Sequence, residues 1–282
     1  MAVTPDPDRA VFWYGCNMTR HGELVRATAA ILAAVGMDAA PAGGPAHCCG
    51  SPKEANARIV EGMARRTVET FNASGRGQVV TWCPSCHMNM EDGMAPVTPA
   101  AFETRHVSTV LWDRRERLRP LLARRVAARV LMHAHLGFHH RVPVNELVPG
   151  LLRMIPGVEV LDHPYRAPGH MCSSLAGVPG ALADAHRATL AALAESGADT
   201  LCTVFHSCHR EAVALERHGG FVVRNWIHLL AESMGIAAED EYRRWRNAPD
   251  PRAAVGAAAI AAAGETAFER LVEPELSRPP SL

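Results

Sequence analysis

The chain has 282 residues, 48% of them hydrophobic, and its 29 basic and 29 acidic side chains give a formal net charge of zero. Such a length and apolar content suit two ordinary domains, and the even charge gives no sign of nucleic acid or an anionic membrane as partner. The first residues lack the basic and apolar regions of a signal peptide, and the longest apolar run, Ala257 to Ala263, is far too short for a membrane span. The expected location is the cytoplasm.

Ala10 to Gly15 is a short apolar and aromatic run that reads as a strand ending at Cys16. Leu24, Thr28, Ile31, Leu32 and Val35 then recur at helical spacing, and Gly36 ends the helix. Pro52 stands where a helix's first turn would be, and the Glu54 to Phe71 pattern follows it. Gln78 to Trp82 reads as the next strand and delivers Cys83 at its end. Cys16 and Cys83 thus fall at strand-to-helix junctions, where open α/β sheets place their sites.

The second half repeats this layout. Arg129 to His133 reads as a strand, Val144 to Ile155 as a helix, and Val158 to Leu161 as a second strand. A long helix follows over Val178 to Ala194, then a third strand over Thr200 to Phe205 that runs into His206-Ser207-Cys208-His209. That tail of Ser-Cys-His matches Ser85-Cys86-His87, and Arg105-His106-Val107 is echoed by Arg224-Asn225-Trp226 before Ile227 to Met234. An internal duplication is the simplest account, as two tandem sheets or as two facing halves. The expected fold is α/β, with Rossmann-like halves at 10–120 and 125–240. Residues 241–282 form a helical tail outside the repeat, free or in contact with a partner.

Eight cysteines, five of them in the first third, dominate the chemistry. Cys16, the pair Cys48-Cys49, and Cys83 with Cys86 read C-x31-CC-x33-C-x2-C. An adjacent pair plus a CxxC is no framework for a small secreted domain and suits a metal or redox role in a reducing compartment. Thiolates bind soft and borderline metals, iron–sulfur clusters above all. Five are one more than a tetrahedral zinc or a regular cubane takes. The alternatives are a zinc site with a spare cysteine or five structural thiols. His47 and His87 flank the motif and could hydrogen-bond to cluster sulfurs or serve ordinary capping roles. Cys202 lies within a strand and reads as core, as do Trp82 and Phe205 at equivalent strand ends.

With these residues in view, the chain resembles the CCG-domain proteins, typified by the catalytic chain of heterodisulfide reductase. The resemblance covers roughly residues 10–235, and the first cysteine motif matches the family signature in full. It implies two CCG half-domains and a non-cubane 4Fe–4S cluster held by Cys16, Cys48, Cys49, Cys83 and Cys86. It also implies iron–sulfur and flavin partner subunits and a disulfide, persulfide or thiol-bound substrate. The second copy departs from the signature. Ala134-His135-Leu136-Gly137 stands for Cys-His-Leu-Gly, Met171-Cys172-Ser173 for Cys-Cys-Gly, and Phe205-His206-Ser207-Cys208 for Cys-Pro-x-Cys. A second cluster is therefore not expected.

The retained Cys172 and Cys208 lie among His133, His135, His170, His206 and His209. They read as packing residues of a decayed site, as ligands of a zinc or iron ion, or as redox or persulfide-carrying thiols. If the halves face each other, His133, His135, Cys172, His206 and Cys208 border a pocket opposite the cluster, with Cys172, Cys208, His135 and His206 as the catalytic candidates and imidazoles available for proton transfer. The chain has no GxGxxG, no P-loop and no cubane-ferredoxin cysteine run, so electrons are expected to come through another subunit. The expected function is an oxidoreductase subunit that couples electron transfer to sulfur–sulfur chemistry. A non-catalytic relay or assembly subunit and a zinc-binding structural protein are the alternatives.

Overall fold

A computed structural model describes residues 6–50 and 57–282, so Pro52 and Glu54 lie outside the described residues. The first half builds a parallel sheet from β1 (Arg9–Gly15), β2 (Asp38–Gly43), β3 (Gln78–Thr81) and β4 (Glu103–His106), in the order β2-β1-β3-β4. Helices α1 (Gly22–Ala34), α2 (Ala57–Ala73), α3 (Pro84–Asn89), α4 (Val107–Asp113) and α5 (Arg115–Leu118) flank it. The second half repeats the order as β6-β5-β7-β8, from β5 (Ala128–His133), β6 (Val158–Val160), β7 (Thr200–Thr203) and β8 (Val222–Asn225). Its helices are α6 (Val144–Leu152), α7 (Cys172–Leu175), α8 (Ala181–Ser196), α9 (His206–Ala212) and α10 (Trp226–Met234).

Parallel strands covered on both faces read as continuous apolar runs. Val11, Phe12 and Trp13 in β1 and all four residues of β3 and β7 are buried accordingly. Cys202 is fully buried within β7 opposite Met132, as its setting predicts. Strands β2, β4 and β8 are not among those read from the sequence, and β2 is the most concealed. Its Asp-Ala-Ala-Pro-Ala-Gly text has little strand propensity, yet as an edge strand it tolerates Pro41.

One apolar core joins the two sheets, running from Phe12, Leu24 and Ile31 through Leu111 to Val130, Leu151 and Trp226. The halves therefore face each other rather than standing apart in tandem. The tail is likewise bound in, not free. It forms α11 (Glu241–Asn247), α12 (Pro251–Val255), α13 (Ala257–Ala263), α14 (Glu265–Ala267) and α15 (Glu273–Ser277). Tyr242 and Leu276 pack with Leu131, Leu201 and Leu215 of the second half. Buried Arg246 donates to the Leu276 carbonyl at 2.7 Å, and Arg20 of the first half donates to Glu275 at 2.9 Å. A few large anchors hold a segment whose alanine-rich composition suggests none.

Candidate metal centres

Strands β1 and β3 are parallel neighbours, so both end at the same edge of the sheet. There β1 hands the chain to Cys16 and β3 delivers Cys83, with Cys86 in the first turn of α3 and Cys48-Cys49 arriving from the segment after β2. The Cys48 thiol donates to the Cys16 sulfur at 3.3 Å. Cys49 is hydrogen-bonded to Cys48 and to Cys86, and Cys86 also to Cys83. The structure thus brings all five predicted cysteines together. Four are buried and Cys16 is half-buried.

The hydrogen bond with Cys49, then burial, pushes the Cys48 thiol far above its usual range. Hydrogen bonds with Cys49 and Cys83, then burial, do the same to Cys86, and burial raises Cys16. Crowded thiols without a counter-charge resist ionisation, and a bound cation reverses that preference. An all-sulfur set fits a soft metal or cluster. His87 pairs through Nδ1 with Thr81 at 2.9 Å and through Nε2 with Glu91 at 3.4 Å. The His47 ring lies against Phe71, with centroids 5.6 Å apart.

A second group forms at the matching edge of the other sheet. The Nε2 of His133, the Nε2 of His135 and the sulfurs of Cys172 and Cys208 lie within 4.8 Å of one another, all buried. Burial opposes ionisation of Cys208, yet the Cys172 thiol and the His135 and His133 imidazoles hold it well below its usual range, while Cys172 is raised by that same hydrogen bond. His206 is not one of the group. Its ring packs against Trp82 at 5.9 Å and faces His21 at 6.4 Å, because positions two apart on a helix point away from each other. The two sites adjoin, since Ser85 Oγ, between Cys83 and Cys86, lies 3.4 Å from His170 Nε2.

Sequence reasoning missed the seam between the halves and the tail. His209 Nε2 lies 2.9 Å and His228 Nδ1 3.4 Å from the same Asp240 oxygen, with His21, Glu23 and Tyr242 alongside. Only a three-dimensional view joins residues so widely spread. Burial pushes His21, His106 and His228 down to about 3. Unfolded, each titrates near about 6.5, so between those values the unfolded chain binds more protons and stability falls as pH falls. Burial alone would raise Asp240, but His209 and His228 hold it far below the carboxylate range, so it acts in the same direction at lower pH. The melting temperature should peak between about pH 7 and 8, since the raised thiols cost stability as pH climbs past about 9. It should drop from about pH 6 to 4, where the histidines outweigh the opposite effect of Glu23, which burial lifts to about 7. A flat profile in that window would contradict the buried neutral histidines.

The cavity that reaches the cysteines is not the predicted one. His133, His135, Cys172, His206 and Cys208 are at most 2% exposed, and none of them lines the cavity found at the cysteine motif. Instead a cavity of about 460 Å³ opens at Cys16, between Thr19, Arg20 and Pro45 on one side and Tyr242, Trp245, Leu271 and Glu275 of the tail on the other. Docking of the tail creates it, which is why the motif text alone does not reveal it.

Residues 10–91 match the CCG family, described as a cysteine-rich domain, in agreement with the resemblance that the cysteine motif carries. No curated protein matches the sequence. Among solved structures, the chain is similar to an allantoin racemase from Klebsiella pneumoniae, at 14% identity and a TM-score of 0.33, over 82% of this chain and 90% of that one. An aspartate racemase from Picrophilus torridus aligns at 13% identity and a TM-score of 0.34, over 83% of this chain and 98% of that one. Likeness this weak says nothing about the chemistry of the cysteines.

Proposed function

We propose that the chain is an iron–sulfur subunit of a heterodisulfide-reductase-like complex, holding one non-cubane 4Fe–4S cluster through Cys16, Cys48, Cys49, Cys83 and Cys86. The observation that supports this is the convergence of five sulfurs from two strand ends and one loop, where zinc or a cubane takes four. When bound, such a cluster supplies or accepts single electrons beside a substrate sulfur.

The chain's own residues bind and shield that substrate. The cavity at Cys16, about 460 Å³, is of a size for a small ligand, here a disulfide, persulfide or thiol-bound group. Tyr242, Trp245 and Leu271 give it an apolar side, and the Arg20–Glu275 pair gives it a polar one that can hydrogen-bond a substituent. Electrons pass to and from iron–sulfur and flavin partner subunits. The common strand order of the two sheets supports an internal duplication. So does a repeated detail, the Thr81–His87 and Thr203–His209 hydrogen bonds at 2.9 and 3.3 Å. In the second copy Ala134, Met171 and Phe205 replace cysteines, and we assign it no cluster.

One observation favours a second reading, a non-catalytic relay or assembly subunit. Cys172, Cys208 and His135 are at most 2% exposed, which favours a buried, non-catalytic role for the paired thiols over the catalytic one the sequence suggests. Anaerobic iron and sulfide quantification with EPR tests the cluster. About four irons and four sulfides per chain are expected. About eight irons would refute the single cluster, and zinc without acid-labile sulfide would overturn the iron–sulfur reading altogether.

A further inference from the structure

We infer that His133, His135, Cys172 and Cys208 hold one zinc ion, a closed mononuclear site that stands where the second half has lost its cluster ligands. The inference rests on this group's own geometry and does not depend on the cluster at the other motif.

Three sulfur–nitrogen distances in the group come near the edge of a tetrahedral site. His133 Nε2 lies 3.0 Å from the Cys172 sulfur, and His135 Nε2 lies 3.6 Å from Cys172 and 3.3 Å from Cys208. With ordinary Zn–S and Zn–N bond lengths, the sulfur–nitrogen edge of a tetrahedral site is about 3.6 Å. A two-iron centre would put its sulfurs and nitrogens on different irons and spread them further apart. Two sulfurs and two imidazoles in a tetrahedron select zinc among the common metals.

The histidines are also held in the form that a metal needs. His135 Nδ1 lies 2.9 Å from the Pro168 carbonyl, which only accepts, so Nδ1 carries a proton and Nε2 is the nitrogen left to face the sulfurs and ligate a metal. Thr189 donates its hydroxyl to the Ala185 carbonyl at 2.8 Å, so its oxygen is left to accept from His133 Nδ1 at 3.5 Å. Both rings thus have their outer nitrogen anchored on oxygen and their inner one aimed at a common centre, the arrangement of metal-ligating histidines. The Cys208 sulfur takes a further bond from the backbone N–H of Cys172 at 3.4 Å, a hydrogen bond suited to a thiolate. All four ligands are at most 2% exposed, and a site with four protein ligands and no open position is structural. The ion would join β5, α7 and α9 and stiffen the wall that carries His170 against Ser85.

Zinc-edge X-ray absorption on the full-length protein, purified anaerobically from zinc-supplemented cells, tests this without interference from iron. The expected result is about one zinc per chain with two sulfurs near about 2.3 Å and two nitrogens near about 2.0–2.1 Å. Cys172→Ser and Cys208→Ser should each lower bound zinc about tenfold or more with iron and sulfide unchanged. Should these variants not fold, Thr189→Val, which removes the acceptor behind His133, should weaken zinc about 10- to 100-fold in chelator competition. A shell of four sulfurs, absence of zinc, or zinc that is lost in Cys48→Ser and kept in Cys208→Ser would overturn the assignment. Iron and sulfide, counted on the same samples, report separately on the N-terminal cluster.

Discussion

Cys83→Ser should lose most of its iron, falling from about four to under about one per chain, together with the brown charge-transfer colour. Cys83 stands between β3 and α3, one residue past the strand and capping the helix, so its sulfur is placed by the sheet rather than by a long loop that could adjust. A serine oxygen is a poor ligand for a soft metal and leaves a gap that Cys86, tied to Cys49 and Cys83, cannot fill. Cys48→Ser should behave alike. Cys202→Ser is the control, because Cys202 is equally buried but sits inside β7 and belongs to neither sulfur group. It should cost about 1–3 kcal/mol of stability for a buried hydroxyl and leave the iron in place. Loss of iron from Cys202→Ser equal to that from Cys83→Ser would mean that destabilisation, not ligation, explains the effect.

The parts of this molecule that could be read from sequence are those in which local text fixes position. Apolar runs named β1, β3, β5 and β7, and a cysteine at a strand end is at the sheet edge in any parallel fold, so the meeting of Cys16, Cys83 and Cys86 followed. Strand β2 escaped because its residues carry no strand signal, and only its parallel pairing with β1 makes it one. The four clustered residues of the second half were singled out, but His206 was grouped with them by adjacency, whereas the helical turn sends its ring to Trp82. Asp240 and His228 carry no motif, and their meeting with His209 depends on where the tail docks. The same docking builds the cavity at Cys16 from residues more than half the chain away, a contact that no periodicity can announce.

The tightest constraint on the N-terminal site is a residue with no side chain. Gly15 has φ +76°, and a Cβ placed on it would stand 2.8 Å from the Cys86 sulfur. Gly44, at φ +73°, has nothing within 4 Å of the same added atom. The pair separates two effects that alanine substitution usually mixes. Both Gly15→Ala and Gly44→Ala force a residue with a Cβ to a positive φ, at about 1–3 kcal/mol. Gly44, with ψ −171°, lies in a region essentially reserved for glycine, so Gly44→Ala should lower the melting temperature at least as much. Only at Gly15 does the new methyl meet a sulfur, and a sulfur that serves as a ligand cannot rotate aside and remain one. Gly15→Ala should therefore lose most of its iron, while Gly44→Ala keeps it. If Gly15→Ala retained full iron and sulfide, Cys86 would be free to move, and the five-sulfur arrangement would reduce to four ligands and a spare thiol.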